Sequence, residues 1–142
     1  MEEEVKKKKK HPFKIFLKVI AIWFGCAIIF TGVYFGIFAK AKLAYNGIEY
    51  NGLEAYVYIE IDNRSTDQIK FDRTNFSIKG NNVSKTANAL YTMYSGTDRY
   101  GYQSGEYILN SFDKVKIMLV FYRTDITTDC SIYYNGELIS KL

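Results

Sequence analysis

The chain has 142 residues and a formal net charge of +4, room for one domain and an appendage. The basicity is confined to one end: residues 1–42 hold nine Lys against three Glu (net +6), and residues 43–142 hold ten Lys and Arg against twelve Asp and Glu (net −2). A nucleic-acid partner requires cations on the folded surface, so that class is excluded.

The opening stretch, "EEEVKKKKK", sets Glu2, Glu3 and Glu4 four residues before Lys6, Lys7 and Lys8. That spacing supports a short helix. Lys6, Lys7, Lys8, Lys9, Lys10, Lys14 and Lys18 are expected to meet anionic lipid headgroups, each Lys near the surface contributing about 1 kcal/mol. Residues 1–18 are read as a basic cytoplasmic tail.

From Val19 to Ala39, "VIAIWFGCAIIFTGVYFGIFA", no residue is charged. A helix of that length spans about 31 Å, matching a hydrocarbon core of about 30 Å. Pro12 suits the first turn of a helix, where a missing N–H has no partner to lose. Lysines crowd the preceding side, and only Lys40 and Lys42 follow closely. The positive-inside rule then makes this a single-pass protein of the cell membrane, its N-terminus cytoplasmic and its C-terminal domain outside. Two alternatives are weaker. "AKA" at Ala39 to Ala41 has the form of a signal-peptidase site, but the apolar run exceeds the usual 7–15 residues. "FGC" at Phe24 to Cys26 is similar to a lipoprotein box, but the chain stays apolar after the cysteine. Gly32 and Gly36 form a GxxxG motif, and Gly25 falls on the same stripe, which allows a homodimer through the helix.

Residues 40–52 contain "YNGIEYNG", read as a stem of two consecutive turns, with Tyr45 and Tyr50 at the headgroup level. The domain proper is taken as residues 53–142. Leu53 to Ile61 alternates cleanly between apolar and polar positions, as a half-buried strand does. "DNRSTDQ" follows as a turn. Ile69 and Phe71, then Phe76 and Ile78, keep strand phase. "NALYTMY" is a further strand and "SGTDRYGYQSG" a loop. Val115 to Tyr122 is apolar on both faces and reads as a central strand. "CSIYYNGELIS" reads as a hairpin with Asn135-Gly136 as a type I′ turn. Cys130 falls on the apolar phase and is expected as a small buried hydrophobe. Cys26 lies inside the apolar run, so no intramolecular disulfide or metal site is expected.

Short strands without an amphipathic helix indicate a mainly β fold, a β-sandwich. "VYIEIDNRSTDQIKF" and "KVKIMLVFY" resemble the small extracytoplasmic immunoglobulin-like domains that bacteria tether by one helix or a lipid. The resemblance implies an immunoglobulin-like β-sandwich behind the transmembrane helix, and members of that class have diverse roles. The Cys…Trp…Cys framework of true immunoglobulins is absent, since Trp23 lies in the helix.

Catalytic groups are scarce. The sole histidine, His11, precedes the helix, so histidine-based acid–base chemistry in the domain is not expected. "SFDK" at Ser111 to Lys114 fits an S-x-x-K pattern without its companion motifs. "DNRSTDQ" and "TDITTD" lack EF-hand spacing. Neither an enzyme nor a cofactor is expected. "NRS", "NFS" and "NVS" at Asn63, Asn75 and Asn82 fit N-glycosylation sequons, relevant only in a eukaryote. The stretch Tyr91 to Tyr107 resembles the composition of antibody binding loops, rich in Tyr, Ser and Gly. Tyr91, Tyr94, Arg99, Tyr100, Tyr102 and Tyr107 are therefore the candidate binding residues, with Tyr56 and Tyr58 as a second face. The function expected is a non-catalytic interaction module or accessory subunit of a cell-envelope complex, with a membrane or envelope protein as partner. The alternative is a cell-surface glycan-binding module.

Overall fold

The computed structural model describes residues 12–32 and 41–142. Lys6–Lys10, His11 and Gly36 lie outside the described residues. The chain divides into two units, at Phe38 and Ala39.

Helix α1 runs over Pro12–Gly32. It opens at the proline, as the sequence suggests. Phe13–Thr31 is long and apolar enough to cross a membrane. Its large side chains are exposed on every side, Trp23 at 77% and Phe30 at 76%. The Thr31 hydroxyl donates to the Ala27 carbonyl at 2.7 Å, so its polar atom is satisfied within the helix.

The second unit is mainly β, and its strands pair antiparallel. In chain order they are β1 (Lys42–Asn51), β2 (Glu54–Asp62), β3 (Ile69–Phe71), β4 (Phe76–Lys79), β5 (Ser84–Thr86), β6 (Ala89–Met93), β7 (Tyr100–Tyr102), β8 (Tyr107–Leu109), β9 (Lys114–Tyr122), β10 (Ser131–Tyr134) and β11 (Glu137–Lys141). A five-stranded sheet has the order β1-β2-β9-β6-β7, a four-stranded sheet β11-β10-β4-β5, and β3 pairs with β8. All three sheets feed one core. Val57, Ile59, Ile117 and Leu119 come from the first, Ile78 and Ile132 from the second, Phe71 and Leu109 from the third. Phe71 and Phe76 meet edge to face at 5.9 Å, an aromatic arrangement that adds to the area they bury.

Alternation explains the register. Ala55, Val57, Ile59 and Ile61 of β2 are all but completely buried. Their partners across the ladder, Phe121, Leu119, Ile117 and Val115, are buried too. β9 lies between β2 and β6, the central position expected of it. Asn135 and Gly136 have φ of 48° and 83°, the two left-handed residues that a type I′ hairpin requires.

Residues 42–51 differ from expectation. They form the edge strand β1, paired with β2, and are not a stem of turns. Tyr45 pairs with Ile59 and Gly47 with Tyr58, leaving Asn46 as an unpaired bulge residue. The extra residue reverses the phase, so Leu43 and Tyr45 before it and Ile48 after it all pack on the core. Tyr45 is therefore core packing, not a headgroup anchor. The second "YNG" ends β1 with Tyr50 and Asn51, and Gly52, at φ 60°, opens the β1–β2 connection. Leu53, expected as the first inward strand residue, is instead in this connection and 81% exposed.

Candidate functional site

The inward face of β2 is aliphatic, and the opposite face carries the tyrosines. In antiparallel pairing, residues directly opposite share a face. Tyr58 opposes Met118, Met118 opposes Tyr91, and Tyr91 opposes Tyr102. One row thus crosses β2, β9, β6 and β7 on the outer side of the sheet. Tyr56 and Val120 form the next row with Ala89. Tyr100 stands beside Tyr102 two residues away on the same side.

The rings contact one another. Tyr91 and Tyr102 meet at 5.4 Å and 60°. Tyr58 and Tyr100 meet at 5.9 Å although two strands separate them in the sheet. The hydroxyl tips of the β2 pair are held. Tyr58 donates to Glu49 Oε2 of β1 at 3.0 Å, and Tyr56 donates to Glu54 Oε2 at 2.8 Å. Burial, then the Glu49 carboxylate, push the Tyr58 hydroxyl up to about 12. Burial and the charges of Asp98 and Glu49 raise that of Tyr100 as well. A shallow cleft of about 290 Å³ opens between Tyr56, Tyr91, Met118 and Tyr122.

This face unites Tyr91, Tyr100 and Tyr102 of the Tyr-rich stretch with Tyr56 and Tyr58, the separate second candidate. It does not include the rest. Tyr94 follows outward-facing Met93 and turns to the other side, its hydroxyl lying where a Cβ on Gly101 would stand. Tyr107 is in β8, its ring tilted against Phe71 at 5.3 Å and packed on the core. Arg99 is exposed in the turn before β7, where its carbonyl accepts from the Tyr94 N–H. The stretch expected as one loop contains β7. Met118 and Glu49 were not singled out in the sequence, and the order of the strands is what brings them to the site.

On α1, Gly25 has open space around it, and Lys14 and Lys18 are exposed. Gly32 is the last residue of the helix. Ser111 sits in a turn and donates to the Thr66 carbonyl at 2.6 Å, so the S-x-x-K match is not on a helix. Among the described residues, no three of His, Cys, Asp and Glu gather in a way that would hold a metal. Cys130 is buried, as expected of a small hydrophobe.

The acidic turn after β2 is organised by Asn63, which is completely buried. Its Nδ2 donates to the carbonyls of Asp67 (2.7 Å) and Asn110 (2.9 Å), and its Oδ1 accepts from the N–H and hydroxyl of Ser65. The side-chain amide of the "NRS" sequon is therefore consumed inside the fold. Asp62 beside it is held below the ordinary carboxylate range by Arg64 and Lys114.

Comparison with protein-family models, with curated proteins and with solved structures finds no match to this chain.

Proposed function

We propose that the chain is a single-pass, membrane-anchored interaction module, non-catalytic, serving as an accessory subunit of a cell-envelope complex. Its N-terminus is cytoplasmic and its β-domain is outside. The observation that carries this reading is α1, of which Phe13–Thr31 is long and apolar enough to cross a membrane and whose large apolar side chains are exposed. Lys14 and Lys18 on its first turns, and the lysines before it, support the orientation. Antiparallel sheets sharing one core support an immunoglobulin-like β-sandwich of the kind bacteria tether by one helix. Gly25 and Gly32 on α1 support association of helices in the membrane.

Membrane-impermeant maleimide tests the topology. With Cys26 replaced by Ser and Cys130 buried, Ser95→Cys is expected to label on intact cells, and Glu3→Cys only after permeabilisation. The reverse pattern overturns the orientation, and labelling of neither in a membrane fraction overturns the anchor.

A second reading, a surface glycan-binding module, is favoured by one observation: five tyrosines occupy one sheet face with their rings partly open. Flat apolar rings with hydroxyl tips suit a sugar ring. Tyr91→Ala with Tyr102→Ala is expected to abolish retention on envelope glycan if this reading holds, and to leave it unchanged if it does not.

A further inference from the structure

We propose that the cleft among Tyr56, Tyr91 and Tyr122 binds a small quaternary ammonium ion of the choline type. Strand pairing builds the cleft. Tyr56 of β2, Val120 of β9 and Ala89 of β6 stand side by side in one row across the outer face. Tyr122 is two residues from Val120 along β9, and Tyr91 two residues from Ala89 along β6, so both share that face. Val120 and Ala89 are short and the tyrosines around them are long, and the mismatch leaves a hollow of about 290 Å³. Val120, only 6% exposed, is its floor, with Met118 beside it. Clefts from roughly 300 Å³ upward hold small ligands.

The chemistry of the walls selects the occupant. Three walls are phenol rings, and the face of an aromatic ring carries the negative part of its quadrupole. Glu54 adds a carboxylate at the rim, and no Lys or Arg lines the cleft. Among the described residues Glu54 has no ion-pair partner. Glu49 opposes Tyr56 on the same face and adds a second negative charge nearby. The lysines of this face stand at its other end, where Lys114 is bound to Asp62 at 3.4 Å and Lys116 opposes Glu60. Elsewhere the domain covers ring faces with its own cations: Lys79 lies over Tyr133 at 5.0 Å, and Arg123 over Tyr50 at 5.2 Å. Arg123 follows Tyr122 in the chain, yet Tyr50 opposes the core-facing Ala55, so the guanidinium is drawn to the other side of the sheet. Among the described residues, the cleft therefore has three rings, one carboxylate and no cation.

The same walls suit a sugar poorly. Sugar hydroxyls need partners when they are buried, but the floor is Val120, Met118 and Ala89. The Tyr56 hydroxyl is already engaged by Glu54 at 2.8 Å. A quaternary ammonium has no N–H to satisfy. Its charge is spread over methyl groups, which an apolar floor and ring faces accept, and such ions are what aromatic cages recognise. Two of the walls are also held in place: Tyr91 is braced by Tyr102 at 5.4 Å, and Tyr56 by Glu54. Walls set in advance lose little freedom on binding. A site of this kind depends neither on the membrane anchor nor on the glycan reading.

The experiment uses the full-length chain with isotope-labelled methionine methyls, in a polyoxyethylene detergent that has neither a choline nor a sugar head. The chain has three methionines, and Met118→Leu identifies the NMR signal of the one in the cleft. Choline chloride is expected to move the Met118 signal saturably, and sodium chloride at the same concentration to leave it in place. The neutral analogue of choline, with carbon in place of nitrogen, is expected to bind about tenfold or more weakly. Tyr122→Leu and Glu54→Gln are each expected to weaken choline about threefold or more, and Tyr122→Phe, which keeps the ring, to leave it unchanged. Phosphocholine identifies the source of the ion. Binding equal to that of choline marks a headgroup borne on phosphate, and weaker binding, from repulsion by Glu54, marks a free cation; either supports the cage. The comparison of choline with its neutral analogue is made on the natural chain, so it stands however the variants fold. A Met118 signal that choline does not move, or a neutral analogue that binds as tightly, overturns the inference. If choline fails and N-acetylglucosamine moves the signal, the face belongs to the glycan reading.

Discussion

The two faces of β2 are made by alternate residues of one nine-residue strand, yet their chemistry is unrelated. Inward, Ala55, Val57, Ile59 and Ile61 are aliphatic and all but completely buried. Outward, Glu54, Tyr56, Tyr58 and Glu60 carry carboxylates and phenols, with two hydroxyls fixed to acids. The inner face is interchangeable with that of many β-proteins, since area removed from water is what it contributes. The outer face has particular hydrogen-bond partners, so the identity of each side chain matters there and not only its area.

Truncation separates the faces most sharply. Ile59→Ala leaves a cavity among Val57, Ile117 and the other core residues and is expected to cost about 2–5 kcal/mol. Its outward neighbour Tyr58, replaced by Ala, is expected to cost well under half as much. Urea unfolding of the detergent-solubilised chain measures both, and equal losses would erase the distinction between the faces. At the end of β2 the same contrast is tested by a polar residue. Asn63→Ala removes a buried amide with partners on both sides of it and strands those partners, an expected loss of about 1–3 kcal/mol. Asn82→Ala, an exposed asparagine of another sequon, is expected to change stability by less than about 0.5 kcal/mol.

The smallest effect is a dependence on pH. The Tyr58 hydroxyl is raised to about 12 by burial and Glu49, from an ordinary value of 10.0. The folded state therefore holds this proton more tightly than the unfolded chain. Its stabilising contribution is complete below pH 10 and is lost as pH rises through about 12. Tyr58→Phe is expected to flatten that part of the stability profile while leaving the acid limb unchanged. The acid limb belongs to groups such as Asp62, whose lowered value contributes above the usual carboxylate range and fails as pH falls. An unchanged alkaline slope in Tyr58→Phe would mean that the phenol titrates as in the unfolded chain.

The strands that could be read from sequence are those whose periodicity runs unbroken. β2 and β9 alternate without interruption, and the β10–β11 hairpin is marked by Asn135-Gly136. β1 was hidden because the bulge at Asn46 shifts its apolar positions from Leu43 and Tyr45 to Ile48, which reads as no period at all. A change of phase at an Asn-Gly pair was the available signal. β7 was hidden because its inward residue is Gly101, which has no side chain to mark the phase, and β5 because all three of its residues are exposed. At the site, the tyrosines stood out by composition. Their division did not, because Tyr94 and Tyr107 leave the face through strand phase and pairing with Phe71. The union of Tyr58 with Tyr91 depends on β9 lying between them, a long-range pairing that no local pattern encodes.

The unpaired Asn46 also guards against aggregation. A long edge strand offers a row of free amides and carbonyls to any neighbour. β1 is the longest edge in the domain, and its ladder is interrupted at Asn46, where the local twist changes. The edges at β5 and β7 are only three residues long, and the five-residue edge β11 has its own register break at Ile139. An incoming strand therefore finds no flat, continuous template on either sheet, and closing the bulge by deleting Asn46 would create one.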